Sequence, residues 1–173
     1  MARNIELKAR ARQFDALRER AAQLSSDAPL IFRQQDSFYD VPRGRLKLRQ
    51  FDDGTPPELI FYQRDDRDGP KVSYYTRSPV ANAEAMHSLL ATALTTRGIV
   101  SKERQVYLVG RTRIHLDRVD GLGDFVELEV VLAQDDDEAG GEAEAHAMLA
   151  KLGVDEADLV PVAYVDLLNT ASV

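Results

Sequence analysis

The stretch from Arg113 to Val131 constrains this chain more than any other, because charged and aliphatic residues alternate on both sides of a Gly121–Gly123 turn. Side chains two apart on a strand share a face. On the first strand Arg113, His115 and Asp117 alternate with Ile114, Leu116 and Val119. On the second, Glu127 and Glu129 alternate with Val126, Leu128 and Val130. The pattern predicts a β-hairpin with one aliphatic face and one face bearing an Arg, a His and three carboxylates. Like charges crowded on one surface repel, so that face is either solvated or neutralised by cations.

The same split recurs along the chain. Asn4, Glu6 and Lys8 alternate with Ile5, Leu7 and Ala9, and Arg45, Lys47 and Arg49 with Leu46 and Leu48. Further strands are predicted over Ile31–Val41, Glu58–Arg64, Lys71–Arg77 and Ile99–Val109, the last with Lys102 and Arg104 on one face. Phe14, Leu17, Ala21 and Leu24 fall at helical spacing. A second helix is expected over Ala83–Arg97, capped by Asn82 and closed by Gly98. Two more are expected over Asp137–Leu152, ending at Gly153, and Pro161–Leu168, with Asp155 capping the turn between them. Eight strands dominated by antiparallel hairpins make an α+β class, with one large sheet or an eight-stranded antiparallel β-barrel wide enough for one small ligand.

Composition narrows the setting. A chain of 173 residues fits one domain, 1–173, and 44% hydrophobic with 29% charged residues fits a soluble globular protein. The absence of cysteine excludes disulfides and thiolate chemistry and suits a cytoplasmic location. No apolar run approaches a membrane span, and Met1–Glu6 lacks the apolar segment of a signal peptide. A net charge of -7 argues against nucleic acid as a partner.

A sheet with one face in water explains each strand taken alone. Together the strands fit that account poorly. Their polar positions hold full charges rather than Ser, Thr and Gln, and bases gather on the middle strands while acids gather on the first and last. Such segregation suits a cavity that holds a polyanion at one end and a cation at the other. A triphosphate brings about four negative charges, which guanidinium forks bind bidentately. Mg²⁺ or Mn²⁺ takes a few carboxylates and keeps substrate phosphates as its remaining ligands. Glu6, Asp117, Glu127 and Glu129 could supply those carboxylates if the strands meet across a lumen. His115 could serve as acid, base or phosphate ligand, or as a structural histidine. Tyr62, Tyr74 and Tyr75 could stack on a base or simply pack.

With these residues in hand, the chain resembles the CYTH superfamily of triphosphate tunnel metalloenzymes, and within it the class IV adenylyl cyclase-like branch. Asn4-Ile5-Glu6-Leu7-Lys8 is similar to the N-terminal E-x-E-x-K signature, and Gln35-Asp36-Ser37-Phe38-Tyr39 to the Q-x-D-x-Y segment. Arg45–Arg49 is similar to the basic strand. Lys102–Tyr107, His115-Leu116-Asp117 and Gly121–Glu129 are similar to segments of the cyclase-like branch. The resemblance implies an eight-stranded tunnel with inward polar residues and helices packed outside. It implies Glu6, Asp117, Glu127 and Glu129 as ligands of Mg²⁺ or Mn²⁺. Lys8, Arg45, Lys47, Arg49, Arg64, Lys102, Arg104 and Arg113 would bind phosphates, with Lys8, Arg113 and His115 closest to the chemistry. The implied substrates are a nucleoside triphosphate, another organic triphosphate or tripolyphosphate, and the resemblance leaves room for a homodimer. Two departures stand out. Asn4 replaces the first Glu of the signature, and Lys71–Thr76 is poor in Arg and Glu. A non-catalytic nucleotide- or polyphosphate-binding module therefore stays open beside a cyclase or a triphosphatase.

Overall fold

A computed structural model of the protein describes residues 1–171; the expected span of 1–173 runs two residues past them. Eight strands form: β1 (Ala2–Arg10), β2 (Leu30–Tyr39), β3 (Arg45–Phe51), β4 (Glu58–Arg64), β5 (Lys71–Pro79), β6 (Thr96–Val109), β7 (Thr112–Val119) and β8 (Gly123–Leu132). They close in the order β1-β5-β4-β3-β2-β6-β7-β8, with every neighbouring pair antiparallel. Around this barrel lie α1 (Phe14–Leu24), α2 (Ala83–Ala93), α3 (Glu138–Leu152) and α4 (Tyr164–Ala171). The α+β barrel expected from the alternation is the fold.

The aliphatic faces turn outward. Leu7 of β1, Ile114 and Leu116 of β7, and Val126 and Leu128 of β8 are fully buried against Phe14, Leu17 and Ala21 of α1 and Met148, Leu149 and Leu152 of α3. Each such side chain contributes roughly 1.5–3 kcal/mol on burial. Gly141 lets α3 lie close, since a Cβ there would meet Ile5 Cγ1 at 2.7 Å and Leu132 Cδ2 at 2.9 Å. With one face committed to the helices and a period of two along each strand, the charged faces point into the lumen.

Caps fall where the sequence puts them. Asn82 accepts from the Ala85 N–H, Asp137 from the Gly140 N–H and Asp155 from the Ala157 N–H, while Gly153 ends α3 in the left-handed region. Two helix boundaries and one strand face depart from expectation in ways that bear on the site, and β2 ends at Tyr39 rather than Val41. Helix α2 stops at Ala93 rather than Arg97: Leu94 is extended and Thr96 already pairs with Tyr39 of β2, past a bulge at Phe38/Tyr39. The β-branched Thr95–Thr96 pair favours the strand. Gly98 therefore sits in β6 opposite Phe38, where a Cβ would come within 3.0 Å of Val165 in α4. Helix α4 starts at Tyr164, because the carbonyls of Pro161 and Val162 accept from Lys71 and Lys8 instead of opening a helical ladder. Val119 shares the face of Asp117, not that of Leu116, since β7 keeps its alternation to its end; it packs with Phe38, Val100 and Tyr164.

Segment 159–164 positions the site. Leu159 bridges to Ala9 and the Val160 N–H donates to the Lys8 carbonyl, which carries the chain across one mouth of the barrel.

Candidate active site

The lumen is a cavity of about 870 Å³ not filled by atoms, counting solvent-open space at its mouth. Ala163 and Tyr164 line its closed end, near Lys8 and Arg104, while Glu58, Tyr75, Arg77, Arg49 and Arg113 lie toward the other end. Exposure follows that axis. The side chains of Arg77 and Arg113 are 59% and 41% exposed, those of Lys102 and Arg104 only 4% and 5%.

Deepest in the wall is a cluster built by β6 and β7, whose register sets Arg104 opposite Asp117. Arg104 donates to both Asp117 oxygens at 2.7 Å, Lys102 Nζ to Oδ2 at 2.9 Å, and the Tyr164 hydroxyl to Oδ2 at 2.9 Å. Arg104 also reaches Glu127 at 2.9 Å. Burial pushes the Asp117 carboxyl up, but Arg104 and Lys102 more than offset it and hold it well below the usual range. The Tyr164 ring lies 4.0 Å from Lys8 Nζ and 4.7 Å from Lys102 Nζ, a cation–π seat for both.

A second anchor lies on β2. Asp36 accepts from Arg49 Nε at 2.7 Å, Arg49 Nη2 at 2.8 Å and Lys47 Nζ at 2.9 Å. Burial, chiefly, lowers the Lys47 ammonium to about 8. Arg45 turns to the closed end, donating to Asp66 at 2.5 Å and to Asp166 of α4 at 3.2 Å, and Arg97 also holds Asp166.

The opposite wall, β1 and β8, is acidic. The register sets Glu6 opposite Glu129 and Lys8 opposite Glu127. Arg64 donates to Glu6 at 2.6 Å. Glu129 has Arg113 at 3.6 Å and His115 Nδ1 at 3.8 Å, both beyond a good hydrogen bond. Burial, with Glu127 and Glu6 nearby, raises the Glu129 carboxyl. Burial also lowers Lys8 to about 7, partly countered by Glu127. Asn4 and Ser73, partners across β1 and β5, line the cavity with Asn4 Oδ1 and Ser73 Oγ buried and without hydrogen-bond partners.

Of the residues singled out in the sequence, Glu6, Lys8, Lys47, Arg49, Arg64, Arg104, Arg113, Glu127 and Glu129 come together on the cavity wall. Arg45, Lys102, His115 and Asp117 share the inward parity but are not among the residues that line the cavity surface. Asp117 takes four hydrogen bonds from protein donors, three of them at Oδ2, and His115 is buried and held neutral by burial and by Arg104. Tyr62 and Tyr75 line the wall, whereas Tyr74 faces outward and donates to Glu138. His146 is exposed on α3, and His87 of α2 is half-buried and hydrogen-bonded to the Tyr39 hydroxyl. Sequence reasoning missed Asp36 as a lumenal residue, although its parity with Gln34 and Phe38 places it between two basic strands. It also missed Tyr164, which enters from a helix and leaves no alternation to read.

Among the described residues, no group of three or more His, Asp or Glu side chains is arranged to hold a metal ion. The chemistry of the acidic wall nonetheless fits a hard cation: two orphaned neutral oxygens and the loosely paired Glu129 carboxylate face the same cavity as Glu6 and Glu127.

A closed antiparallel barrel with a charged lumen shut at one end defines a tunnel-type fold. The CYTH domain family matches residues 2–164, and the chain belongs to that family. It is 29% identical over 143 residues to the adenylate cyclase CyaB of Aeromonas hydrophila, covering 78% of this chain and 71% of that protein. The PH1012 protein of Pyrococcus horikoshii shares the fold with a TM-score of 0.85 and 23% identity, covering 96% of this chain and 99% of that one. HpAC1 from Hippeastrum, described as revealing a dominant triphosphatase activity, superposes with a TM-score of 0.68 at 16% identity, covering 99% and 96%. No helix of the described residues is long and apolar enough to cross a membrane.

Proposed function

We propose that the protein is a divalent-metal-dependent enzyme acting on a triphosphate held in the lumen, by nucleotidyl chemistry (ATP to cyclic AMP and pyrophosphate) or by hydrolysis of an organic or inorganic triphosphate. One observation carries the reading: on the inner face, ten cations (Lys8, Arg45, Lys47, Arg49, Arg64, Lys71, Arg77, Lys102, Arg104 and Arg113) stand against six carboxylates (Glu6, Asp36, Glu58, Asp117, Glu127 and Glu129). The excess of four positive charges suits a polyanion such as a triphosphate. The relatives point the same way, one a cyclase and another with triphosphatase activity.

Each residue then has a task. Arg49, Arg64, Arg104, Lys8 and Lys47 bind phosphate oxygens in a lumen where charge is poorly screened, which favours the transition state as charge moves between oxygens. Asp36 and Asp117 keep those cations in place. Glu6, Glu127, Glu129 and the Asn4 oxygen would hold Mg²⁺ or Mn²⁺, with phosphate drawing Arg64 and Arg104 away from Glu6 and Glu127. When bound, the metal supplies charge neutralisation at the phosphates and lowers the pKa of the attacking oxygen. Lys8, near neutrality, can hold or move a proton at Nζ. Arg113 stands at the mouth as an outer phosphate contact. Asp117 anchors Lys102 and Arg104, and His115 lies buried with its Nδ1 3.8 Å from Glu129.

Incubation with ATP or tripolyphosphate and either metal, followed by product identification, tests this. Cyclic AMP with pyrophosphate selects the cyclase, and orthophosphate with diphosphate the triphosphatase. Glu127→Gln should lose at least 100-fold in rate, a scale typical of removing one charge-stabilising or acid–base group. Tight binding without product under either metal would leave a binding module instead.

A further inference from the structure

The barrel does not end evenly at its open mouth. β3 stops pairing with β2 at Phe51 opposite Gln34, yet β2 continues to pair with β6 as far as Leu30 opposite Val106. The β6–β7 ladder likewise runs on to Leu108 opposite Arg113 and Val109 opposite Thr112. This side of the wall therefore overhangs the mouth. By strand parity its inward positions are Leu30 and Phe32 on β2, Phe51 on β3, and Val106 and Leu108 on β6. Every one of these is apolar; on β7 the inward partners of Leu108 and Val106 are Arg113 and His115, so the apolar strip is confined to β2, β3 and β6. Two residues deeper on the same faces stand Gln34, Arg49 and Arg104, so the lining changes from charge to hydrocarbon over a single step of the pleat.

This surface is not a covered core. Leu30 is 60% exposed and Leu108 42%. Phe32 and Phe51 meet edge to face at 5.6 Å between centroids and make a partly exposed aromatic shelf. Helices α1 and α3 cover only the outer face here, where Tyr107 is buried. Exposed apolar surface that continues a cation-lined cavity calls for a ligand with two chemistries, anionic at one end and apolar at the other.

We propose that this overhang is a specificity subsite that takes the organic group of a triphosphate ester, heteroaromatic or otherwise apolar, while the phosphates occupy the cationic lumen below. The assignment rests on the triphosphate reading above. It places Phe51, Phe32 and Leu108 as specificity residues and makes esterified triphosphates better ligands than tripolyphosphate, which has nothing to lay on the shelf.

The test is calorimetric binding, with Mg²⁺, of methylene-bridged analogues of ATP and of tripolyphosphate, which resist turnover. Phe51→Ala and the exposed-site variant Leu108→Ser should weaken the ATP analogue roughly five- to hundred-fold, the scale of losing one stacked base, and leave the tripolyphosphate analogue within about twofold. Leu108→Ser guards against misfolding in Phe51→Ala. If the wild type binds both analogues and neither variant changes their ratio, the subsite is wrong and the triphosphate reading stands. If the wild type binds neither, both fall. A concentration-dependent dimer that Leu108→Ser dissociates would also overturn the subsite, by giving the shelf to a second copy of the chain.

Discussion

Asp117 and Glu129 sit on adjacent strands of one lumen in opposite circumstances. Asp117 is wholly buried and takes hydrogen bonds from Arg104, Lys102 and Tyr164. Glu129 faces Glu6 across the β1–β8 ladder and has no cation within hydrogen-bonding distance. A buried ion cluster that is fully bonded is stable as built and costly to break, whereas an underbonded carboxylate loses little when removed. The β6–β7 cluster is thus fully bonded within the protein, and the β1–β8 wall is the underbonded side of the lumen.

The contrast can be broken most directly at Asp117. Asp117→Asn leaves Lys102 and Arg104 buried with half their counter-charge, and should cost about 3–5 kcal/mol of stability in denaturant titration. A loss under ~1 kcal/mol would put Asp117 on a par with an exposed pair and erase the distinction. Tyr164→Phe keeps the ring under Lys8 and Lys102 but removes the hydroxyl's bond to Asp117. It should cost about 1.5–3 kcal/mol, as expected for a hydrogen bond to a charged group.

Lys8 sharpens the contrast from the ligand side. Its free-state pKa is about 7, and a bound triphosphate must raise it. Affinity that depends on the ammonium is complete below pH 7 and is lost as pH rises toward the bound-state value. Tripolyphosphate binding should weaken by up to tenfold per pH unit above 7, and Lys8→Arg, which stays charged, should flatten the profile. An unchanged slope in Lys8→Arg would remove Lys8 from phosphate binding.

The smallest effect is expected at Glu129. Its carboxyl is raised in the folded state, so the folded chain binds more protons than the unfolded one above the usual carboxylate pKa, and stability falls as pH rises through the folded value. Glu129→Gln should therefore gain up to ~1 kcal/mol at neutral pH, lose the acid-side slope and weaken Mn²⁺ binding measured by spectroscopy. A destabilised Glu129→Gln would mean that the wall is already satisfied.

Much of this was legible in the alternation. The apolar parity of Leu7, Leu116 and Leu128 fixes which face meets the helices, and the charged parity of Lys47, Arg104 and Glu127 then has only the lumen to enter. Parity does not show which charges find one another. The pairing of Asp36 with Lys47 and Arg49 depends on strand register, and that of Asp117 with Tyr164 on a helix 47 residues away. The end of α2 is hidden in the sequence because Leu94 continues the apolar stripe while the β2 ladder competes for Thr96.

The segment Pro161–Tyr164, held by Lys71, Lys8 and Asp117, stops one mouth of the barrel. A passage open at both ends would let a polymer thread and be gripped anywhere along its length. A blind sack accepts only a terminus. An anionic chain entering this protein must come end first, and the length it can seat is set by the distance from the shelf at Phe51 to the ring of Tyr164.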